Sequence, residues 1–191
     1  PTFDYNYTVD WGDDTTIDID LVGNMTHTYI TEGEYFVNIS GKFPKFLMEN
    51  ELRLLSFVSI GTNDSVINGD SSWTNCTNLQ IFDPSGLIGI LSCRFAWRGC
   101  IILTKFDTTG MSSVTDIYFA WAICTNLNDF NSIGLINATE CTGSWAVCEN
   151  LIEFDPIGLI NATECIATWY SCISLYEFDT TVLNNIDNCT L

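Results

Sequence analysis

Phe106-Asp-Thr-Thr-Gly110-Met-Ser-Ser-Val114-Thr-Asp-Ile117-Tyr-Phe-Ala120-Trp121-Ala-Ile-Cys124-Thr-Asn-Leu127 covers most of one unit of a repeat. Trp73, Trp97, Trp121, Trp145 and Trp169 stand 24 residues apart without a slip. Each is followed at fixed distance by a cysteine (Cys76, Cys100, Cys124, Cys148, Cys172), then by Leu79, Leu103, Leu127, Leu151 and Leu175. Next come Phe82, Phe106, Phe130, Phe154 and Phe178, each beside an Asp or Asn: Asp83, Asp107, Asn131, Asp155, Asp179. Gly86, Gly110, Gly134 and Gly158 form another column, which Val182 breaks. Cys93, Ile117, Cys141, Cys165 and Cys189 form the last. Residues 49–72 read as a degraded copy, with Leu52, Leu55, Val58 and Val66 in the matching places.

A unit this short cannot bury its own core, so neighbouring units must stack and share one. Apolar residues three apart suggest a helix. The Asp-Pro, Thr-Thr-Gly and Ile-Gly interruptions leave room only for short strands, tight corners and a single helical turn near each Trp-x-x-Cys. The expected fold is mainly β: a leucine-rich-repeat-like β-solenoid of five to six 24-residue coils, starting near 49, 73, 97, 121, 145 and 169. A small N-terminal β-sandwich-like cap completes it. The expected division is residues 1–48 and 49–191.

The run from Phe106 to Leu127 resembles the BspA-type leucine-rich repeats, with an aspartate, a Thr/Ser corner, a valine, an aromatic and Cys-x-x-Leu. Trp stands where that family has Phe, and Ile117 or Cys where it has Met. The resemblance covers about residues 50–191. It implies a cell-surface or secreted structural or adhesive protein and no enzyme. Residues 1–48 do not repeat. Phe3, Tyr5, Tyr7 and Val9 alternate with polar residues, as in a half-buried strand. Val9-Asp-Trp-Gly-Asp-Asp-Thr15, His27-Thr-Tyr29 and Gly33-Glu-Tyr35 resemble the PKD-like β-sandwich, which implies an extracellular spacer. The sole histidine, His27, then falls in a structural turn before Tyr29.

Charge narrows the function. The 191 residues carry 24 acidic and 6 basic side chains, a formal charge of −18. Phosphate backbones are met by Lys and Arg, so nucleic acid is excluded as a partner. Anionic membrane surfaces are disfavoured too. No apolar run spans a bilayer, so no membrane insertion is expected. From Phe106 to Leu191 there is neither Lys nor Arg. Asn-x-Ser/Thr sequons occur at Asn6, Asn24, Asn38, Asn63, Asn75, Asn137, Asn161 and Asn188. All but Asn75 and Asn188, which flank cysteines, are candidates for glycosylation.

The nine cysteines allow disulfides in an extracellular chain. A column that accepts Ile117 reads better as buried packing. Cysteines spread along repeats do not converge on zinc. Asp10, Asp13 and Asp14 are weak calcium candidates, with turn chemistry as the competing reading. The Asp83 column reads as corner capping. Walker and dinucleotide motifs are absent, and no cofactor and no catalytic set is expected.

The first residue is Pro1 rather than Met, which points to removed or omitted sequence upstream. The last unit has no polar cap, which points to head-to-tail self-association into a homopolymer. The assembly candidates are Phe3, Tyr5, Tyr7 and Val9, acting by strand addition, with Trp169, Leu175, Phe178, Leu183 and Leu191. The expected role is a subunit of an extracellular filament or adhesive appendage. The alternatives are a phage or virus fibre or decoration protein, and a monomeric adhesion module that binds a host or matrix surface ligand.

Overall fold

The computed structural model describes residues 4–15, 18–22, 25–59 and 66–186. Phe3, Asn24, Asn63, Asn188, Cys189 and Leu191 lie outside them. The chain is mainly β. Among the described residues the one helical element is a short 3-10 turn, Pro156–Leu159. Contacts divide the chain into two compact units, Pro1–Lys45 and Phe46–Leu191. The boundary falls earlier than the sequence suggests because Phe46 is buried and packs on Phe57 and Trp73, at ring distances of 5.0 and 5.8 Å.

The first unit holds a three-stranded antiparallel sheet of β1 (Asn6–Asp10), β2 (Asp18–Leu21) and β3 (Asn38–Lys42), in the order β2-β1-β3. β1 pairs with β3 from Asn6↔Lys42 to Asp10↔Asn38. Tyr7 and Val9 point inward and are buried, as their alternation requires. The alternation in β2 does not translate into burial, since Ile19 is 66% exposed.

The second unit is built on parallel pairing between successive repeats. β4 (Ser56–Val58) pairs with β5 (Ile81–Asp83), β6 (Lys105–Asp107) with β7 (Asp129–Asn131), and β8 (Glu153–Phe154) with β9 (Glu177–Phe178). A second line of contacts runs through the bridges Asn68↔Ser92↔Asp116↔Glu140↔Glu164. Identical side chains therefore lie above one another. The tryptophan rings stack nearly parallel, 5.1–5.8 Å apart from Trp73 to Trp169. Phe57, Phe82, Phe106, Phe130, Phe154 and Phe178 form a second column, and each phenylalanine meets a tryptophan edge-on or tilted, as Phe106 meets Trp97 at 4.6 Å.

The expected helical turn at Trp-x-x-Cys is replaced by a different device. Cys93, Phe95, Trp97 and Gly99 donate their N–H to Asp116, Tyr118, Ala120 and Ala122 in the next repeat. The intervening Ala96, Arg98 and Cys100 donate back to Cys93, Phe95 and Trp97. Alternate residues thus serve the ladder and the turns, and every amide in the segment is satisfied. Successive three-residue turns also explain the apolar spacing that imitates a helix. The segment needs two left-handed residues per repeat. One column is Ser71, Phe95, Phe119, Gly143 and Ala167; the other is Asn75, Gly99, Ile123, Val147 and Ser171.

Each corner is closed by a side chain. Asp83, Asp107, Asn131, Asp155 and Asp179 accept the N–H two residues on, at 2.8–3.1 Å. Gly134 and Gly158 follow because an added Cβ would lie 1.7 Å from the carbonyl oxygens of Thr108 and Ser132 in the repeat before. The degraded copy departs from the expected register. Phe57 rather than Val58 pairs with the Phe column, and Val58 is 51% exposed. A slip of one residue turns a side chain to the other face. Leu52 and Leu55 are exposed as well, while Val66 is buried.

Candidate functional site

The acidic turn after β1 is the most polar candidate. Gly12 adopts φ +75°, and its α-carbon faces the Phe36 carbonyl so closely that a Cβ would sit 2.5 Å from the oxygen. Asp10 Oδ1 accepts from Gly12 N at 3.0 Å. Asp13 Oδ1 accepts from Thr15 Oγ1 at 2.6 Å, and Asp13 Oδ2 lies 2.7 Å from His27 Nε2, which carries the donated proton. Those hydrogen bonds, Thr15's first and His27's second, hold the Asp13 carboxyl below its ordinary value. His27 stacks on Trp11 at 4.7 Å and meets Tyr29 edge-on, while Tyr29 stacks on Tyr35. Trp11 Nε1 donates to Asp18, and the Tyr29 hydroxyl donates to Trp11 O. Asp10 and Asp13 therefore spend oxygens on the turn and its histidine. Among the described residues no three His, Cys, Asp or Glu side chains converge to hold a metal ion. An open groove lies beside this turn, lined by Asp14, Ile30, Thr31 and Tyr35 among others.

The strand-addition role expected for Phe3, Tyr5, Tyr7 and Val9 meets an obstacle. β1 is the central strand, with partners on both edges, so it has no free ladder to offer. Tyr7 and Val9 are interior residues, and Tyr5 packs on Phe43 and donates to Lys45 O.

The other assembly candidates lie in the last described repeat. Trp169 is buried, but Leu175, Phe178 and Leu183 are only half-buried, as is Cys172. Their counterparts one repeat earlier, Cys148, Leu151, Phe154 and Leu159, are exposed by at most 4%. A different apolar surface was not anticipated. Ile133, Ile136, Ile157 and Ile160 are each 40–54% exposed on two consecutive repeats. Thr109 and Ser112 occupy the matching places before them, and Thr181 and Asn184 those after.

Of the sequon asparagines, Asn6, Asn38, Asn137 and Asn161 are exposed, and Asn75 is half-buried. Asn137 and Asn161 each donate Nδ2–H to a carbonyl of the preceding repeat, Ser112 O and Ile136 O, at 2.7 Å. Glycosylation consumes one of the two amide hydrogens, so this bond can persist with the other.

The cysteines divide into two kinds. Cys76 donates its thiol to Met48 O at 2.9 Å, and Cys100, Cys124, Cys148 and Cys172 donate theirs to the carbonyls of Trp73, Trp97, Trp121 and Trp145 at 3.1–3.2 Å. Burial pushes all five thiols up, Cys76 and Cys172 to about 11. Cys141 and Cys165 instead act on each other: each is the chief cause of the other's shift, which holds Cys141 up and brings Cys165 down. The spacing pattern treats that column as uniform packing and conceals the difference.

No family model matches the chain, and no curated protein or solved structure matches it significantly. No helix among the described residues is long and apolar enough to cross a membrane.

Proposed function

We propose that the chain is a non-enzymatic extracellular structural protein whose repeats wind as a leucine-rich-repeat-like β-solenoid of the BspA type. In this reading it associates with further copies, as a subunit of a surface filament or adhesive appendage. The constant pairing offset and the stacked Trp and Phe columns support the solenoid. The exposed sequons and the absence of Lys and Arg after Lys105 support an extracellular setting. One observation carries the structural reading: the rings of Trp73, Trp97, Trp121, Trp145 and Trp169 stack 5.1–5.8 Å apart at a constant offset of one repeat.

The test is sedimentation velocity and negative-stain microscopy of the full chain over a range of concentrations. Assemblies that grow with concentration, and that Leu175→Glu disperses without changing the circular dichroism spectrum, are expected. A chain that stays monomeric throughout overturns the association. The exposed isoleucines at 133, 136, 157 and 160 favour a second reading, a monomeric binding module, because contiguous apolar surface marks interaction sites. In that case Ile136→Asp abolishes adhesion while Leu175→Glu does not.

A further inference from the structure

Cys141 and Cys165 sit on consecutive repeats directly after the bridged pair Glu140↔Glu164. Cys141 N donates to Glu164 O at 2.8 Å, which locks the register. Neighbouring strands run about 4.8 Å apart, inside the range of Cα separations that a disulfide spans. The two side chains share one buried face, each 0% exposed. Both are free thiols in this structure. We propose that Cys141 and Cys165 form a disulfide that staples these two repeats, and that no other described pair does so.

The contrast with the other column supports this selectivity. The thiols of Cys76, Cys100, Cys124, Cys148 and Cys172 are each committed to a backbone carbonyl, and burial raises their pKa. Cys93 has Ile117 as its neighbour in the next repeat, so it has no sulfur to meet. Cys165 alone is shifted the other way: the neighbouring Cys141 thiol lowers it, and the Thr168 hydroxyl assists against burial and the carboxylates of Glu140 and Glu164. The thiolate is the attacking species in exchange. The pair also lies next to the least closed repeat, where local opening admits a small reagent.

With glutathione disulfide as the oxidant, the Cys165 thiolate attacks one glutathione sulfur and releases glutathione thiolate. Cys141 gives its proton to that leaving thiolate. Its own thiolate then attacks Cys165 Sγ and displaces the second glutathione. Two protein thiols are oxidised to one disulfide, and one glutathione disulfide is reduced to two thiols. The chemistry needs only an oxidising thiol buffer, so it stands whether or not the protein self-associates.

The test treats the full chain with a glutathione buffer of oxidising poise, both folded and during refolding from denaturant. Acid quenching is followed by cleavage after glutamate and after aromatic residues. Cuts after Glu140, Trp145, Glu164 and Trp169 isolate Cys141 and Cys165 on separate peptides with one cysteine each. The expected result is these two peptides joined, an intact mass lower by two hydrogens, and a higher melting temperature that a reductant reverses. Cys141→Ile, which installs the side chain the column already carries at Ile117, removes the link; Cys148→Ala keeps it. The proposal is overturned if the peptides stay separate under both regimes. It is equally overturned if Cys148 joins Cys172, or if Cys165 joins Cys189.

Discussion

The two units of this chain are held together by opposite means. In residues 46–191 a few side-chain types recur at fixed offset, and nearly every inward position closes completely. Trp73, Trp97, Trp121 and Trp145 are fully buried, as are the Cys and Leu columns between them. Among the described residues up to Lys45 the buried hydrophobic side chains are Tyr7 and Val9, while Phe36 stands 93% exposed. That unit relies on polar and aromatic contacts around one histidine: Asp13, Trp11, Tyr29 and Tyr35. The repeat unit compounds one solution; the small unit spends a unique residue at each position. So few buried apolar groups leave little free energy to oppose chain entropy, so the small unit opens first.

The largest break in this comparison is Trp121→Ala. It removes a ring stacked on Trp97 and Trp145 and crossed by Phe106 and Phe130. The expected cost is about 3–5 kcal/mol, read as a lower urea midpoint for the repeat unit alone. The loss is offset in part. The five buried indole N–H groups have no hydrogen-bond partner among the described residues, and each such group costs about 1–3 kcal/mol. The ladder therefore tolerates repeated polar penalties for the sake of ring burial.

Alkaline pH separates the two units next. Cys76, Cys93, Cys100, Cys124, Cys148 and Cys172 are raised above the ordinary 9.0 by burial. A raised folded pKa leaves stability intact below the unfolded value and erodes it as pH climbs toward the folded one. Each buried thiol then subtracts about 1.4 kcal/mol per pH unit. All cysteines lie in the repeat unit. In the small unit Tyr5 and Tyr7 are raised from 10.0, chiefly by burial. A pH titration of the reduced chain is expected to weaken the repeats from about pH 9, and the small sheet only above the tyrosine range. Simultaneous loss of both at pH 9 would contradict the assignment.

The smallest effect is His27→Ala. Losing the 2.7 Å contact to Asp13 and the stack on Trp11 is expected to cost about 1–2 kcal/mol. Hydrogen exchange should show it as faster amides in β1 and β3, with protection from Cys93 to Gly99 unchanged. An equal change in both units would mean that they unfold as one.

Much of the repeat unit was legible because a fixed period declares which residues must share an environment. The Trp, Leu and Phe columns, the capping role of Asp107 and its counterparts, and the mainly β character followed from it. The degraded copy was misread by one residue, since no Trp anchors it and Phe57 competes with Val58. The left-handed positions were invisible because only Gly99 and Gly143 mark them, while Ile123 and Val147 adopt the same conformation against their preference. The partner of Asp13 was not legible because His27 arrives from fourteen residues away.

The sequence by itself determined what repeats: the period, the residues that stack, and a formal charge of −18. A covalent pattern of side chains needs no coordinates to be counted. Only the tertiary structure decided what each thiol or carboxylate faces. It separated Cys141 and Cys165 from cysteines bonded to carbonyls, placed β1 in the middle of its sheet, and left the last columns half open. Those outcomes depend on hydrogen-bond direction and on one-residue register, which act over a few ångströms in space and leave no trace in the spacing of letters.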